Sequence, residues 1–474
     1  MKTFSQICEF LNIKTTNIPL VPFKSLFLDS RSCDENSVFI AIKGINSDGN
    51  NYIDDVISQG VKLVLTDNNI MSNGNNIYFV KDLKCRLADI AQWFYNYKKL
   101  SNIIGITGTN GKTSISSYIA QLLNFNNEES LLLGTNGNGV YPNLETSTHT
   151  TLDTLSLYQK ITKFLDIDNI VMEVSSHSLD QNRAKGLDFD IAVFSNISHD
   201  HLDYHHTMEN YFLAKAKLFQ NDSLQKAVIN IDDEYGLRLC DMTSAKIITV
   251  SLKDKNADIH IHKKSISPMY TSFELWMNGK TIGDYKTKLI GEFNLMNLGL
   301  SLGAVNNIDN ALKNIQKIDA VKGRMERVAL KNGVSIIIDY AHTPDALEKV
   351  LQTLQEYKQN RLWCMFGCGG NRDTTKRAVM AKIVEQYSDK IIVTEDNSRL
   401  ENVNDIFADI SQGFENKQIF IQSREIAIKY IIENAKAGDI VLLAGKGHEC
   451  YMDTKGQKIH FDEREIIAKY STVI

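Results

Sequence analysis

Short apolar runs recur along this chain of 474 residues, and each closes on a polar loop before a stretch of helical period begins. From Met1 to about Lys98, the runs Ser25 to Leu28 and Val38 to Ile42 lead into Asp29-Ser30-Arg31 and Lys43-Gly44-Ile45-Asn46-Ser47-Asp48-Gly49. Gln92 to Lys99 reads as the end of a helix and a domain boundary. A strand built on Ile103, Ile104 and Ile106 follows, then the loop Gly108 to Thr113, then a helix whose apolar face is Ile115, Tyr118, Ile119, Leu122 and Leu123. Ile170 to Val174, Ile191 to Phe194 and Val228 to Asn230 predict parallel strands, Tyr211 to Phe219 a helix, and Lys255 to Lys288 antiparallel strands at a sheet edge. Gly291 to Asn297 opens a helix rich in small residues. From Gly323 onward the strands Val334 to Ile338, Leu362 to Phe366, Ile391 to Val393 and Ile440 to Ala444 alternate with amphipathic helices, a doubly wound pattern.

At roughly 150 residues per domain, the length predicts about three domains. The pattern divides them as a small α/β domain over 1–98, a central P-loop-type domain with a mixed sheet over 99–320, and a C-terminal doubly wound, Rossmann-like domain over 321–474. A net charge of -5 without a clustered basic stripe argues against nucleic acid as a partner. No apolar run approaches the roughly 20 residues of a membrane span, so no membrane insertion is expected. Seven scattered cysteines suit a reducing compartment, and a cytoplasmic location is expected. Cys364 and Cys368 have no second pair to complete a zinc site.

The chemistry gathers in the loops. In Gly108-Thr109-Asn110-Gly111-Lys112-Thr113, glycines let backbone N–H groups face an anion, Lys112 brings a mobile positive charge, and the Thr113 hydroxyl can reach Mg2+. The longer Walker spacing would need a glycine where Ile106 stands. Glu173 ends an apolar strand, and a carboxylate there is costly to bury, so a cation at the strand's end is the simplest account. His199 to His206 holds four histidines and two aspartates, of which His201 is the expected ligand. Lys215 has donors and no acceptor, so on residue chemistry alone an exposed helical lysine is the simpler reading. Asn294 could read an adenine edge or cap a helix. In the last domain, Asp339 to Asp345, Gly367 to Asp373, Glu395 to Arg399 and Gly445 to Glu449 end four strands. Arg372, Arg399, Asp396 and Glu449 supply both signs of charge, as a zwitterionic substrate requires.

Assembled in order, GTNGKT, EVSSHSLDQNR, NISHDHLDYH, AKAKLF, GEFNLMN, GRMER, DYAHTPDAL, GCGGNRD and GKGHE resemble the Mur ligase family of peptidoglycan synthesis, and most closely its MurE branch, which adds the third amino acid of the stem peptide. The resemblance covers all three domains. It implies a cytoplasmic ligase that spends ATP, as cosubstrate, to join UDP-N-acetylmuramoyl-L-alanyl-D-glutamate to a diamino acid through an acyl phosphate, with domain closure; a monomer is expected. Gly108, Thr109, Asn110, Gly111, Lys112, Thr113 and Ser114 are then the phosphate site, and Asn294, Arg324 and Asp339 further ATP contacts. Thr113, Glu173, His201 and Lys215 become Mg2+ ligands, with Lys112, Lys215, Glu173 and His201 catalytic. A CO2-derived carbamate on Lys215 turns a donor into an oxygen ligand and removes the objection raised above.

The same resemblance assigns the UDP-sugar peptide to Leu28, Ser30, Ile45, Asn46 and Ser47, and to Thr150, Thr151, Ser175, Gln181 and Arg183. The family usually has proline where Leu152 stands and often asparagine where His149 stands. Arg372, Asp396, Asn397, Ser398, Arg399, Gly445 and Glu449 match the amino-acid site. Diaminopimelate users show Asp-Asn-Pro-Arg, and this chain reads Asp396-Asn397-Ser398-Arg399. Arg399 can hold the carboxylate that distinguishes meso-diaminopimelate from L-lysine, so meso-diaminopimelate is the expected amine. The alternatives are L-lysine in the same reaction, a folate polyglutamate ligase, and a nucleotide-binding module without ligase activity; a different Mur ligase is disfavoured by EVSSH, YAHTPD and GKGHE together.

Overall fold

The computed structural model describes residues 1–14, 22–44, 47–69, 76–147, 149–164, 166–267 and 270–473. They form two compact units, the first made of Met1–Lys112, Asn127–Ile229 and Asp233–Ile247, the second of Thr113–Asn126, Asn230–Asp232 and Ile248–Ile474.

In the first unit a small parallel sheet runs in the order Ser25–Phe27, Ser37–Ala41, Leu63–Thr66, Ile77–Phe79. Every residue of Ser37–Ala41 is buried, as expected of a parallel strand covered on both faces. The larger sheet of this unit is centred on the strand Asn102–Thr107. Asn169–Glu173 lies parallel on one side of it, followed by Ser130–Gly134. Ile191–Phe194 lies parallel on the other, followed by Lys226–Asn230. Gly137–Val140 folds back antiparallel at the edge. The chain leaves the central strand between neighbours on opposite sides, so loops from three adjacent strands open at one carboxyl edge, the usual ligand position in such sheets.

The second unit contains most of the helix Lys112–Phe125 and an antiparallel meander of Ile259–Ile266, Thr271–Met277 and Lys280–Thr287. The expected edge strands are thus present. Helix Glu292–Ala304 packs close, since a Cβ on Gly299 would come within 2.8 Å of Val250. The last sheet runs Glu326–Ala329, Ser335–Asp339, Ile440–Ala444, Leu362–Phe366, Lys390–Val393, Ile419–Phe420 and is parallel except for its first pair. One face buries Leu347, Leu351 and Leu354 of helix Pro344–Tyr357, the other Ile428, Ile431 and Ile467. The molecule is therefore α/β with a doubly wound C-terminal sheet.

Some elements lie off the periodic pattern. The helix expected over Tyr211 to Phe219 spans Met208–Ala216, because the Thr207 hydroxyl accepts from the Asn210 N–H and starts it early. The strand Glu326–Ala329 and the hairpin Tyr451–Thr454 with Gln457–His460 are too short to carry a period. All seven cysteines are free, and among the described residues no helix is long and apolar enough to cross a membrane.

Candidate active site

The cradle loop takes its shape from the loop after Ile191–Phe194. The Thr109 and Asn110 N–H groups donate to the main-chain and side-chain oxygens of Asn196, at 2.8 and 3.0 Å. Ser195 Oγ donates to Asn110 O at 2.5 Å. Gly108 has φ +148°, and a Cβ there would fall 1.9 Å from Ser195 Oγ, so only glycine fits. Since Thr109 and Asn110 give their N–H groups to Asn196, the donors facing an anion fall to the start of the helix that begins at Lys112. A helix N-terminus carries unsatisfied N–H groups and the positive end of the dipole, which suits phosphate. Thr113 and Ser114 occupy that first turn.

Two lysines converge on one carbonyl. Lys112 Nζ donates to Gly108 O and Thr109 O, each at 2.9 Å, and Lys215 Nζ donates to Gly108 O at 2.8 Å. Lys215 is 1% exposed, not the solvated helical lysine that residue chemistry alone favours. Burial first, then the charge of Lys112, pushes its pKa well below the usual lysine value. Its Nζ lies 4.5 Å from the centre of the Tyr211 ring, and the Tyr211 hydroxyl meets Thr109 Oγ1 at 3.1 Å.

Glu173 is 1% exposed at the end of its strand. Its carboxylate accepts from Thr135 N–H at 2.8 Å and Thr135 Oγ1 at 3.2 Å. Parallel pairing places Glu173 opposite Ile106, at the root of the cradle. His201 sits in the left-handed region at φ +53°, half exposed, with its ring edge-on to His177 at 4.9 Å and 6.0 Å from the Tyr211 ring. Burial, then the neighbouring His177, pushes His205 down to about 4. Among the described residues no three His, Cys, Asp or Glu side chains are grouped to hold a metal. The Glu173 carboxylate supplies oxygen of the kind a hard cation takes.

Beside Glu173 lies a connected polar network. Thr151 Oγ1 donates to Glu173 O at 2.9 Å and accepts from Ser175 N–H at 3.1 Å. Arg183 Nη1 donates to Thr151 O at 3.2 Å, and its Nε and Nη2 hold Gln181 Oε1 at 3.0 and 2.7 Å. Thr150 Oγ1 lies 3.1 Å from Thr135 Oγ1, whose one hydrogen goes to Glu173, so Thr150 is the donor between them. Thr150, Thr151, Ser175, Gln181 and Arg183 thus form one group. In the small sheet, Leu28, Ser30 and Ser47 follow two adjacent parallel strands at the same edge. Ile45 and Asn46 lie outside the described residues.

In the second unit Asn294 is buried within the first turn of its helix, where Gly291 and not Asn294 is the cap. Its Nδ2 donates to Ile290 O at 2.9 Å, and its Oδ1 accepts from Tyr118 at 3.1 Å and Asn297 at 3.2 Å. Asp339 accepts from Met325 N–H at 2.7 Å and Ala341 N–H at 2.8 Å, so both oxygens fasten backbone. Burial raises its pKa. It holds the loop of Arg324, whose guanidinium lies 5.0 Å from the Tyr340 ring centre.

The four loops of the last sheet interlock. Asn397 Nδ2 donates to Glu449 Oε2 at 2.9 Å, and Lys446 Nζ donates to Asn397 Oδ1 at 2.8 Å and Glu449 Oε2 at 3.0 Å. A Cβ on Gly445 would come 2.7 Å from Asp396 Oδ2. Arg399, at φ +51°, donates through Nη1 to Gly370 O at 2.8 Å. Arg372 is exposed on the neighbouring loop, and Ser398 is buried. Sequence reading passed over Asn196, Thr135, Tyr211 and Lys446. Only Lys446 carried a clue, as a lysine enclosed by glycines in a strand-end loop.

Comparison with known proteins now adds to this geometry. Residues 106–305 match the Mur ligase middle domain, and residues 323–447 match the Mur ligase, glutamate ligase domain. A UDP-N-acetylmuramoyl-L-alanyl-D-glutamate–2,6-diaminopimelate ligase of Pseudomonas aeruginosa is 39% identical over 456 residues, 93% of either chain. The protein of that name from Neisseria meningitidis serogroup A is 40% identical over 466 residues, 94% of either chain. A solved structure of a ligase with the same name has 35% identity and a TM-score of 0.71, over 99% of this chain and 98% of its own. The chain belongs to the Mur ligase family.

Proposed function

We propose that the protein is an ADP-forming amide ligase that adds meso-2,6-diaminopimelate to UDP-N-acetylmuramoyl-L-alanyl-D-glutamate. The observation that carries this is the convergence of Lys112 and buried Lys215 on Gly108 O, beside Glu173, at the start of a helix. Diaminopimelate ligases at 39–40% identity along nearly the whole length support the choice of substrates.

A carboxylate at neutral pH is inert to amines. The side-chain carboxylate of D-glutamate attacks the terminal phosphorus of ATP, ADP leaves, and an acyl phosphate forms. The amine of diaminopimelate then attacks the acyl carbon, phosphate leaves with the bonding electrons, and the amine gives up a proton. Lys112 and the N–H groups at the helix start balance charge on the transferred phosphoryl group. Gly108 to Ser114 hold the phosphates, while Asn294 and Arg324 contact the nucleotide and Asp339 holds the Arg324 loop. Thr113, Glu173, His201 and carbamylated Lys215 would hold Mg2+. Bound there, Mg2+ neutralises phosphate charge. Burial favours Lys215 as the free amine, the form that adds CO2, so the donor set becomes suitable for a hard cation.

Leu28, Ser30, Ile45, Asn46, Ser47, Thr150, Thr151, Ser175, Gln181 and Arg183 take the UDP-sugar peptide. Arg372, Asp396, Asn397, Ser398, Arg399, Gly445 and Glu449 take the diamino acid, with Arg399 on its distal carboxylate. The domains divide near 98/99 and 320/321, and the enzyme works in the cytoplasm as a monomer. Phosphate release from ATP and Mg2+ is to be measured with and without the UDP-muramoyl dipeptide across a panel of amino acids. Release should require the dipeptide and run fastest with meso-diaminopimelate. Faster release with L-lysine, or release independent of the dipeptide, would overturn the assignment.

A further inference from the structure

We infer that Arg377 is a positioning residue for amino-acid selectivity, acting through Glu401 to aim Arg399; the inference rests on Arg399 binding the distal carboxylate of diaminopimelate. Arg377 is 0% exposed on helix Thr375–Tyr387, outside every substrate-binding group described above. Its Nη1 and Nη2 donate to Glu401 Oε1 and Oε2 at 2.6 and 2.8 Å, a bidentate pair. Nη1 also reaches Asp409 Oδ2 at 2.8 Å, and Nη2 reaches Gly369 O at 3.3 Å. The guanidinium therefore touches the loop of Gly367 to Asp373 directly and the end of the Arg399 loop through Glu401.

Glu401 completes the link. Its Oε2 accepts from Asn371 N–H at 2.8 Å, and its own N–H donates to Ser398 O at 3.0 Å. Leu400 N–H donates to Asn371 Oδ1 at 3.0 Å, and Gly370 N–H to Asn397 O at 2.9 Å. Arg399 Nη1 then finds Gly370 O, the carbonyl of the loop Arg377 has fixed. Asn371 and Arg399 both have positive φ, at +52° and +51°. Non-glycine residues stay in that region only when their surroundings over-determine them. Ser398 supplies no fixed φ of the kind a proline ring would, so the hold on Arg399 is non-covalent: its backbone is pinned to the hairpin by Asp453 O at 2.9 Å and Lys455 N–H at 2.6 Å, and its guanidinium is aimed by the Gly370 loop that Glu401 and Arg377 fix.

Lysine at 377 keeps the charge and loses the two-pronged grip. The test measures kcat and KM for meso-diaminopimelate and for L-lysine, KM for ATP, and thermal melting, in the parent, Arg377→Lys and Glu401→Gln. Misplacing Arg399 should raise KM for meso-diaminopimelate about tenfold in Arg377→Lys and lower its preference over L-lysine by a similar factor. KM for ATP should stay within about threefold. Glu401→Gln keeps an acceptor for Asn371 N–H and should move the preference in the same direction by less; it decides the matter if Arg377→Lys does not fold. A selective parent whose variants melt lower but keep the preference overturns this inference alone. A parent that does not favour meso-diaminopimelate overturns the substrate assignment as well.

Discussion

Gly134→Ala tests whether the Glu173 carboxylate belongs to the reaction centre without touching Glu173. The added Cβ would fall 2.2 Å from Glu173 Oε1 and 2.9 Å from its Cδ and Cγ. Ordinary contact begins near 3.4 Å, so Oε1 must retreat by about 1.2 Å. That retreat breaks the bonds from Thr135 N–H and Thr135 Oγ1. The clash reaches Cγ and Cδ as well as Oε1 of a buried side chain, and Gly134 does not have positive φ, so the stability cost should be that of overpacking, about 1–3 kcal/mol. A displacement of about 1 Å at a reacting centre costs on the order of 100-fold in rate, or about 2.7 kcal/mol of barrier. The assay is phosphate release at saturating ATP, dipeptide and amino acid over an Mg2+ titration, beside melting and ATP binding. A folded variant that binds ATP and turns over about 100-fold slower, with more Mg2+ needed, is the expected result. Turnover within about threefold of the parent and an unchanged Mg2+ profile would refute the role given to Glu173.

Three further outcomes are expected. Lys215→Ala should lose turnover while retaining ATP binding, and intact-mass measurement under carbamate-preserving conditions should find the parent heavier by one CO2; an unmodified, fully active parent contradicts the carbamate. Arg424→Met breaks a buried pair with Glu463, in which Arg424 also donates to Ala444 O at 2.8 Å. It should cost roughly 3–5 kcal/mol in urea unfolding, and a loss under about 1 kcal/mol would place that pair among the dispensable ones. Glu401 is held down to about 2, first by its hydrogen bonds with Arg377. Its folded pKa lies below the ordinary 4.5, so its stabilisation is present above that value and disappears as pH falls from 4.5 towards 2. The stability gap between the parent and Glu401→Gln should close over that window, and a gap independent of pH would remove the ion pair as its source.

The cradle was legible because its parts are adjacent in the chain: Ile103 to Lys112 spells strand, turn and helix start in order. The loops of the last sheet were legible for a similar reason, since each follows an apolar run that announces where it ends. Lys215 was misjudged on residue chemistry because burial depends on Tyr211 and Gly108, and Gly108 lies 107 positions away. The structure corrects it, with Lys215 1% exposed. Asn196 shapes the cradle from 86 positions off, and Arg377 meets Glu401 across 24. Such bonds between side chains and distant residues impose no period, so nothing in the alternation of apolar and polar residues could report them. The hairpin that closes behind Arg399, with Asp453 O accepting from Arg399 N–H at 2.9 Å, was missed because its strands have four residues each.

The glycines of these loops point to a common physical device. A turn-forming role accounts for Gly108, yet Gly134 and Gly369 do not have positive φ. What they lack is a Cβ where a charged group of another segment must sit: Glu173 over Gly134, and Arg399 Nη1 2.9 Å from the Cβ position of Gly369. Gly445 leaves the same room for Asp396, 2.7 Å from its Cβ position. Charged side chains held against bare backbone keep their hydrogen bonds while losing rotameric freedom, the condition under which electrostatic groups are pre-organised for a transition state. Alanine at Gly134 or Gly369 should therefore damage turnover more than stability, whereas Gly445, at φ +108°, would also lose stability to backbone strain; the ratio of the two losses separates a seat for a charge from an ordinary turn.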